Sequence, residues 1–118
     1  MPGTPPDPVQ AALDNMADAA DRVVVQSRQL AHDSRLASEE RAGGTPAGAA
    51  MSSGQWPRIL QMSGEIARTV LSASAGLRRA LVRQLHIEGF RTSSISRMFG
   101  VSHQRVTTLM REHGGRQR

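Results

Sequence analysis

Glycine and proline partition this chain more sharply than any other residues. Neither occurs between Val9 and Arg41. The thirteen residues that follow, 42–54, hold four Gly and one Pro, and most of the rest are small. A long uninterrupted stretch rich in Ala, Arg, Gln and Leu favours helix, whereas a Gly-rich stretch of small residues favours a flexible linker. From Pro57 the apolar residues Ile59, Met62, Ile66, Val70, Ala73, Leu77, Leu81 and Leu85 recur at steps of three or four. That spacing lays one stripe along a helix, with Pro57 in its first turn, Trp56 folded onto the stripe and Gly89 as a stop signal. Small residues from Ser72 to Gly76 interrupt the stripe, so 57–88 reads as one bent helix or as two that meet there.

The expected fold class is therefore all-α: a long N-terminal helix, a flexible linker, then a long helix leading into a C-terminal helical domain. The expected boundaries are a disordered tail over 1–8, a helix over 9–41, a linker over 42–54, a helical domain over 55–113 and a basic tail over 114–118. Along the first helix Val9, Leu13, Met16, Ala20, Val23, Ser27, Leu30, Ser34 and Ala37 alternate in steps of four and three. This is the 3.5-residue period of a coiled-coil seam, weakly apolar here, and it suits pairing with another helix of this chain or of a second copy.

Apolar content is uneven. Of the 23 Leu, Ile, Val and Phe residues, 7 fall in 1–54 and 16 in 55–113, so the second half is the part able to bury a core alone. Charge is equally polarised. Residues 1–41 carry seven acids and four Arg, a net of −3, while 42–118 carry three Glu and eleven Arg, a net of +8. A basic half of this size attracts polyanions, nucleic acid foremost, and Arg suits phosphate and guanine through its planar donor fork.

The chain has no Cys, which excludes disulfides, Cys-based zinc sites and thiol catalysis. His32, His86, His103 and His113 lack zinc-ligand spacing, Glu65, Glu88 and Glu112 are scattered, and no Gly-rich phosphate loop is present. An enzyme is not expected, nor a catalytic residue, a cofactor, a metal or a small-molecule ligand. No apolar run suggests a membrane partner and the Pro-rich, then acidic N-terminus does not read as a secretory signal, so the expectation is a cytoplasmic protein.

The residues after Gly89 carry the strongest local pattern. Thr92 is placed to cap a short helix whose buried side holds Ile95, Met98 and Phe99. Gly100 supplies a tight turn at positive φ, and Val101 fills the angle between two helices. Ser102 caps the next helix, which buries Val106, Leu109 and Met110. Ser96 is small where the two helices must cross.

Segment 81–111 resembles the helix-turn-helix superfamily. The tri-helical forms of sigma-factor region four, of serine-recombinase DNA-binding domains and of small bacterial regulators are the most similar. Ile95, Ser96, Phe99, Gly100, Val101, Ser102, Val106 and Leu109 carry the likeness. It covers about a quarter of the chain directly, and about half if the helix ending near Glu88 is the first of the three. Ala is usual where Ser96 stands; its hydroxyl is expected to bond back along the helix. The resemblance implies a core of Leu81, Leu85, Ile95, Phe99, Gly100, Val101, Val106 and Leu109. It also implies that the helix over 102–113 enters the major groove of double-stranded DNA. The base-reading set is then His103, Gln104, Arg105, Thr107, Thr108 and Arg111, with Gln suited to adenine and Arg to guanine. Arg91, Thr92, Ser93, Arg97 and Ser102 would meet phosphates, with Arg78, Arg79 and Arg83 forming a basic face on the preceding helix. Arg116 and Arg118 could track the backbone.

One such helix reads only a few base pairs, so a homodimer spanning two half-sites is expected. Its pairing surface is either the heptad-like helix 9–41 or the stripe 57–77, unless these two bury each other within one chain. The competing reading is an adaptor that binds a regulator or sigma factor through its acidic N-terminal helix and keeps the C-terminal helices as scaffold. A third is the targeting module of a recombinase or sigma-like system.

Overall fold

The computed structural model describes residues 7–115, and every side chain among them except those of 113–115. Met1–Pro6, Arg116, Gln117 and Arg118 lie outside the described residues, and with them the expected roles of Arg116 and Arg118. The described residues form five helices and no strand: α1 (Pro8–Ala42), α2 (Ala47–Ser52), α3 (Gln55–Ile87), α4 (Thr92–Phe99) and α5 (His103–Gly115). None of these helices is long and apolar enough to cross a membrane.

Helix α1 starts earlier than the proline count suggested. Asp7 caps it: the Val9 amide donates to Asp7 Oδ1 at 3.0 Å and the Ala11 amide to the Asp7 carbonyl at 2.9 Å. Pro8 is then the first helical residue rather than part of a tail, where its missing N–H costs nothing. The helix runs 35 residues and ends with Thr45 N donating to the Glu40 carbonyl at 3.0 Å. The segment expected as a linker holds α2, whose Ala50 is buried. Its alanines make a short helix affordable, and its small side chains let it lie close to its neighbours.

Helix α3 is one unbroken helix of 33 residues and passes through Ser72–Gly76 without a break. It begins at Gln55, so Trp56 and Pro57 both lie in its first turn. Of the two sequence alternatives, a single helix is the one formed. Gly76 lowers helix propensity locally, but the residues on both sides hold the register.

The helices group into two compact units. One comprises the described residues up to Met16 together with those from Ala73 onward; the other is Ala17–Ser72.

The second unit is built on small residues. Ala19 and Ala50 are buried, and Val23, Gln26, Leu30 and Ala37 of α1 are half-buried. The expected seam included Leu13, Ala20 and Ser27, yet all three are exposed. The covered line keeps Met16, Val23, Leu30 and Ala37 of the seam but takes Ala12, Ala19 and Gln26 in place of Leu13, Ala20 and Ser27, the same alternation of threes and fours with those positions one residue earlier. On α3 the half-buried line within this unit is Ile59, Met62, Ile66 and Thr69, whereas Val70 of the expected stripe is 42% exposed. The chain reverses here. Ser34, Ala37 and Arg41 of α1 line a groove of about 330 Å³ together with Met51 of α2 and Trp56 and Leu60 of α3. Trp56 thus faces this groove, half-buried, with its indole Nε1 lacking a hydrogen-bond partner.

The first unit holds the largest fully buried side chains: Val82 of α3, Ile95 of α4, and Val106 and Leu109 of α5. Leu85, Phe99, Val101 and Met110 pack around them. The stripe had pointed to Leu81 as well, but Leu81 is only half-buried, and Val82 takes the central place. The covered side of α3 carries Val82 and Leu85, three residues apart on one face, so the stripe holds at Leu85 and is one position early at Leu81. Met98, expected inside with Ile95 and Phe99, is 55% exposed, and Ser96 is buried instead. Each of the four central residues contributes roughly 1.5–3 kcal/mol by leaving water. Ile95→Ala is expected to destabilise this unit by about 2–5 kcal/mol through lost burial and a residual cavity, read as a lowered urea midpoint with an unchanged slope.

Candidate nucleic-acid interface

Two glycine corners aim the last two helices. Helix α3 ends at Gly89, at φ 95°, where the Phe90 amide reaches the Leu85 carbonyl at 2.9 Å. Helix α4 ends at Gly100, at φ 66° and ψ 33°. There the Gly100 amide donates to the Arg97 carbonyl at 3.3 Å and the Val101 amide to the Ser96 carbonyl at 3.1 Å. This pair of bonds stops a helix and satisfies its last carbonyls, and it requires a left-handed residue.

Ser96 then closes the corner from the other side. Its hydroxyl donates to the Val101 carbonyl. The expected bond back along the helix is therefore replaced by one forward across the turn. Ser96 and Val101 hold each other at both main-chain groups, which a longer side chain at 96 would prevent, because Ser96 is buried at the crossing. Ser102 caps α5: the Arg105 amide donates to its Oγ at 3.0 Å. Helix α5 consequently starts at His103 and runs to Gly115, a shift of one or two residues from the expected 102–113.

Thr92 does not cap α4. It is the first helical residue, and Arg91, extended at φ −80° and ψ 156°, stands before it without a side-chain capping bond. Thr92 and Ser93, the first two residues of α4, are half-buried. The amides of α4's first turn are left without a side-chain acceptor, which favours an anion there. Arg91 and Arg97 are exposed nearby in sequence, at the two ends of the same short helix. Arg78 and Arg83 of α3 are exposed, and Arg79 is half-buried.

With Val106 and Leu109 turned inward, the outer side of α5 presents His103, Gln104, Arg105, Thr107 and Arg111, all exposed. Thr108, between Gln104 and Arg111 on the same side of the helix, is half-buried. Both threonines are internally bonded, Thr107 to the His103 carbonyl at 3.1 Å and Thr108 to the Gln104 carbonyl at 2.9 Å. Each hydroxyl proton is thereby used, so these side chains offer a methyl group or an acceptor rather than a free donor.

Sequence reasoning passed over Glu112. Its carboxylate lies 3.5 Å from an Arg105 guanidinium nitrogen and 3.8 Å from one of Arg79. The Arg105 spacing of seven residues, two helical turns, was readable on one face of α5; the link to Arg79 of α3 was not, because it is made across the unit. These are the two ion pairs among the described residues; the exposed Arg105–Glu112 pair is worth about 0–1 kcal/mol, and in the other the Arg79 side chain is largely covered. Their larger effect is on charge: Glu112 puts one negative group beside two of the cations on this surface. Among the described residues no group of acidic or His side chains could hold a metal ion.

No family model matches the chain, and neither a curated protein nor a solved structure matches it.

Ser102→Ala is expected to cost about 1 kcal/mol by orphaning a first-turn amide, measurable as a lower melting temperature. Gly100→Val meets no neighbour, since nothing lies within 4 Å of a Cβ built there, so its cost is purely conformational. A β-branched residue at this φ is expected to cost roughly 1–3 kcal/mol, and an unchanged melting temperature would refute the corner geometry.

Proposed function

We propose that this chain is a sequence-specific DNA-binding regulator of the helix-turn-helix type, with α5 entering the major groove and two copies reading two half-sites. One observation carries the reading. A short helix is fixed on its inner side by Val106 and Leu109, and its first turn presents three exposed polar side chains, His103, Gln104 and Arg105. A rigidly held helix with an exposed, polar N-terminal turn is what reading base edges requires.

Charge supports it. Ala73–Gly115 contains seven Arg and two Glu. Gln104 can pair bidentately with adenine, and Arg111 with guanine, each worth about 1–3 kcal/mol of discrimination. The open amides at the start of α4, with Arg91 and Arg97, supply phosphate contacts that fix the docking register. Arg105 is the base-reading candidate most constrained beforehand, because Glu112 holds its guanidinium.

The test begins with selection of bound duplexes from a random pool, followed by titration of the selected and a scrambled duplex between 50 and 200 mM salt. Gln104→Ala and Arg111→Ala are expected to weaken binding to the selected duplex about 5- to 150-fold and to leave scrambled DNA nearly unaffected. Equal losses on both would remove the recognition face from α5. Arg97→Ala is expected to weaken both alike and to flatten the salt dependence by about one unit of slope. Glu112→Gln is expected to tighten binding to both duplexes, since it frees Arg79 and Arg105 and removes a negative charge from the surface.

A further inference from the structure

The groove within Ala17–Ser72 is divided by chemistry. Its volume is about 330 Å³. Ligand pockets run from about 300 to 1,000 Å³, and a cavity of roughly 150 Å³ takes a benzene ring. From α3, Trp56, Ile59 and Leu60 line it, one face at steps of three and four, and Met51 joins them from α2. These walls are apolar apart from the indole nitrogen. The α1 wall is the polar one. Ser34, Ser38 and Arg41 stand there with Ala37 between them, again one face of a helix. An apolar pocket with a few polar groups gathered on one side takes a ligand that is itself two-ended.

Arg41 gives the polar end its sign. It is the one charged residue in the lining; Glu39 and Glu40, the acids next to it in sequence, are not part of it. Its Nη1 donates to the Thr45 carbonyl at 3.1 Å, which ties the guanidinium to the turn after α1. Neither ion pair among the described residues uses Arg41, so its other N–H groups are left for an acceptor. The serines are open as well. Ser52 and Ser53, at the end of α2, donate their hydroxyls to the Gly48 and Ala50 carbonyls at 3.0 and 2.8 Å. Ser34 and Ser38 make no such bond among the described residues. Two hydroxyls one helical turn apart and a cation three residues on are donors gathered for an anion. A ligand cation would be repelled there, and a neutral hydrocarbon would leave every one of these donors without an acceptor.

We propose that this groove binds a small amphipathic carboxylate, with an apolar body of one or two rings or of about eight to ten carbons. The body lies against Trp56, Ile59 and Met51, and the carboxylate meets Arg41 and the two serine hydroxyls. Trp56 is half-buried and no hydrogen bond ties its indole N–H, so packing alone places the ring and an apolar ligand is free to displace the water beside it. The site goes beyond the DNA reading and stands without it, since it can be tested on the full chain with no DNA present.

Trp56 is the chain's one tryptophan, so its emission reports on the groove directly. The full chain is titrated with decanoate from 10 μM to 1 mM, and with decanol and decylammonium as neutral and cationic matches. Decanoate is expected to shift the emission to the blue and to saturate, with an affinity about tenfold or more above that of decanol, and decylammonium to leave the emission unchanged. Arg41→Gln is expected to bring decanoate down to the level of decanol, and Arg41→Lys to restore part of the difference. Ser38→Phe fills the groove from an exposed position. It is expected to abolish the response to both ligands with undiminished helical circular dichroism. No saturable shift with decanoate, equal affinity for decanoate and decanol, or decanoate binding that survives Ser38→Phe or ignores Arg41→Gln would each overturn the proposal.

Discussion

Ser96 and Val101 grip each other across the Gly100 corner, and the direction of α5 follows from that grip. The Val101 amide and carbonyl are both engaged by Ser96, which is itself buried against the crossing. Gly100 alone would allow a range of exit angles. Two bonds to one buried residue, with Ile95 and Val106 packed beneath, select one of them. The outer side of α5 is therefore a fixed surface rather than the side of a loosely hinged helix. Preorganisation of this kind lowers the ordering cost of any partner that binds there.

The two units solve the problem of stability differently. Residues from Ala73 onward bury branched and bulky side chains around a small centre, the usual source of hydrophobic stabilisation. Ala17–Ser72 has alanine at its most buried positions, so each burial contributes little and close backbone approach contributes more. A long two-helix arrangement with so little apolar bulk leaves further uncharged surface outside. Val24, Leu60, Val70 and Leu71 are exposed in consequence. The same division separates charge: arginine dominates where α5 lies, and acid and base balance in the hairpin.

The helical content was legible because its signals are local. The Gly- and Pro-free stretch, Pro57, Gly89, Gly100 and Ser102 each act on the chain within a turn of their own position. Asp7 was equally local and was overlooked, because Pro8 was read with the prolines of the tail and not as a first helical residue behind a cap. Thr92 was over-read for the opposite reason. A hydroxyl before an apolar run is a capping signal, but the buried crossing set the helix start one residue earlier and left Thr92 inside.

What the sequence by itself determined is periodicity: that the two long stretches and the segments on either side of Gly100 are helical, and which residues of α5 share its inner and outer sides; the short α2 inside the expected linker carries no such pattern. The identity of the covered line was decided only by tertiary packing. A helix with several adjacent apolar lines does not say which neighbour will claim which line. Hence Val82 replaced Leu81 at the centre, Ala19 rather than Ala20 went inside, and Val70 stayed out. Glu112 belongs with these. Its tie to Arg79 joins residues far apart in the chain, and a contact between distant segments is fixed by where the helices cross, which no local pattern encodes.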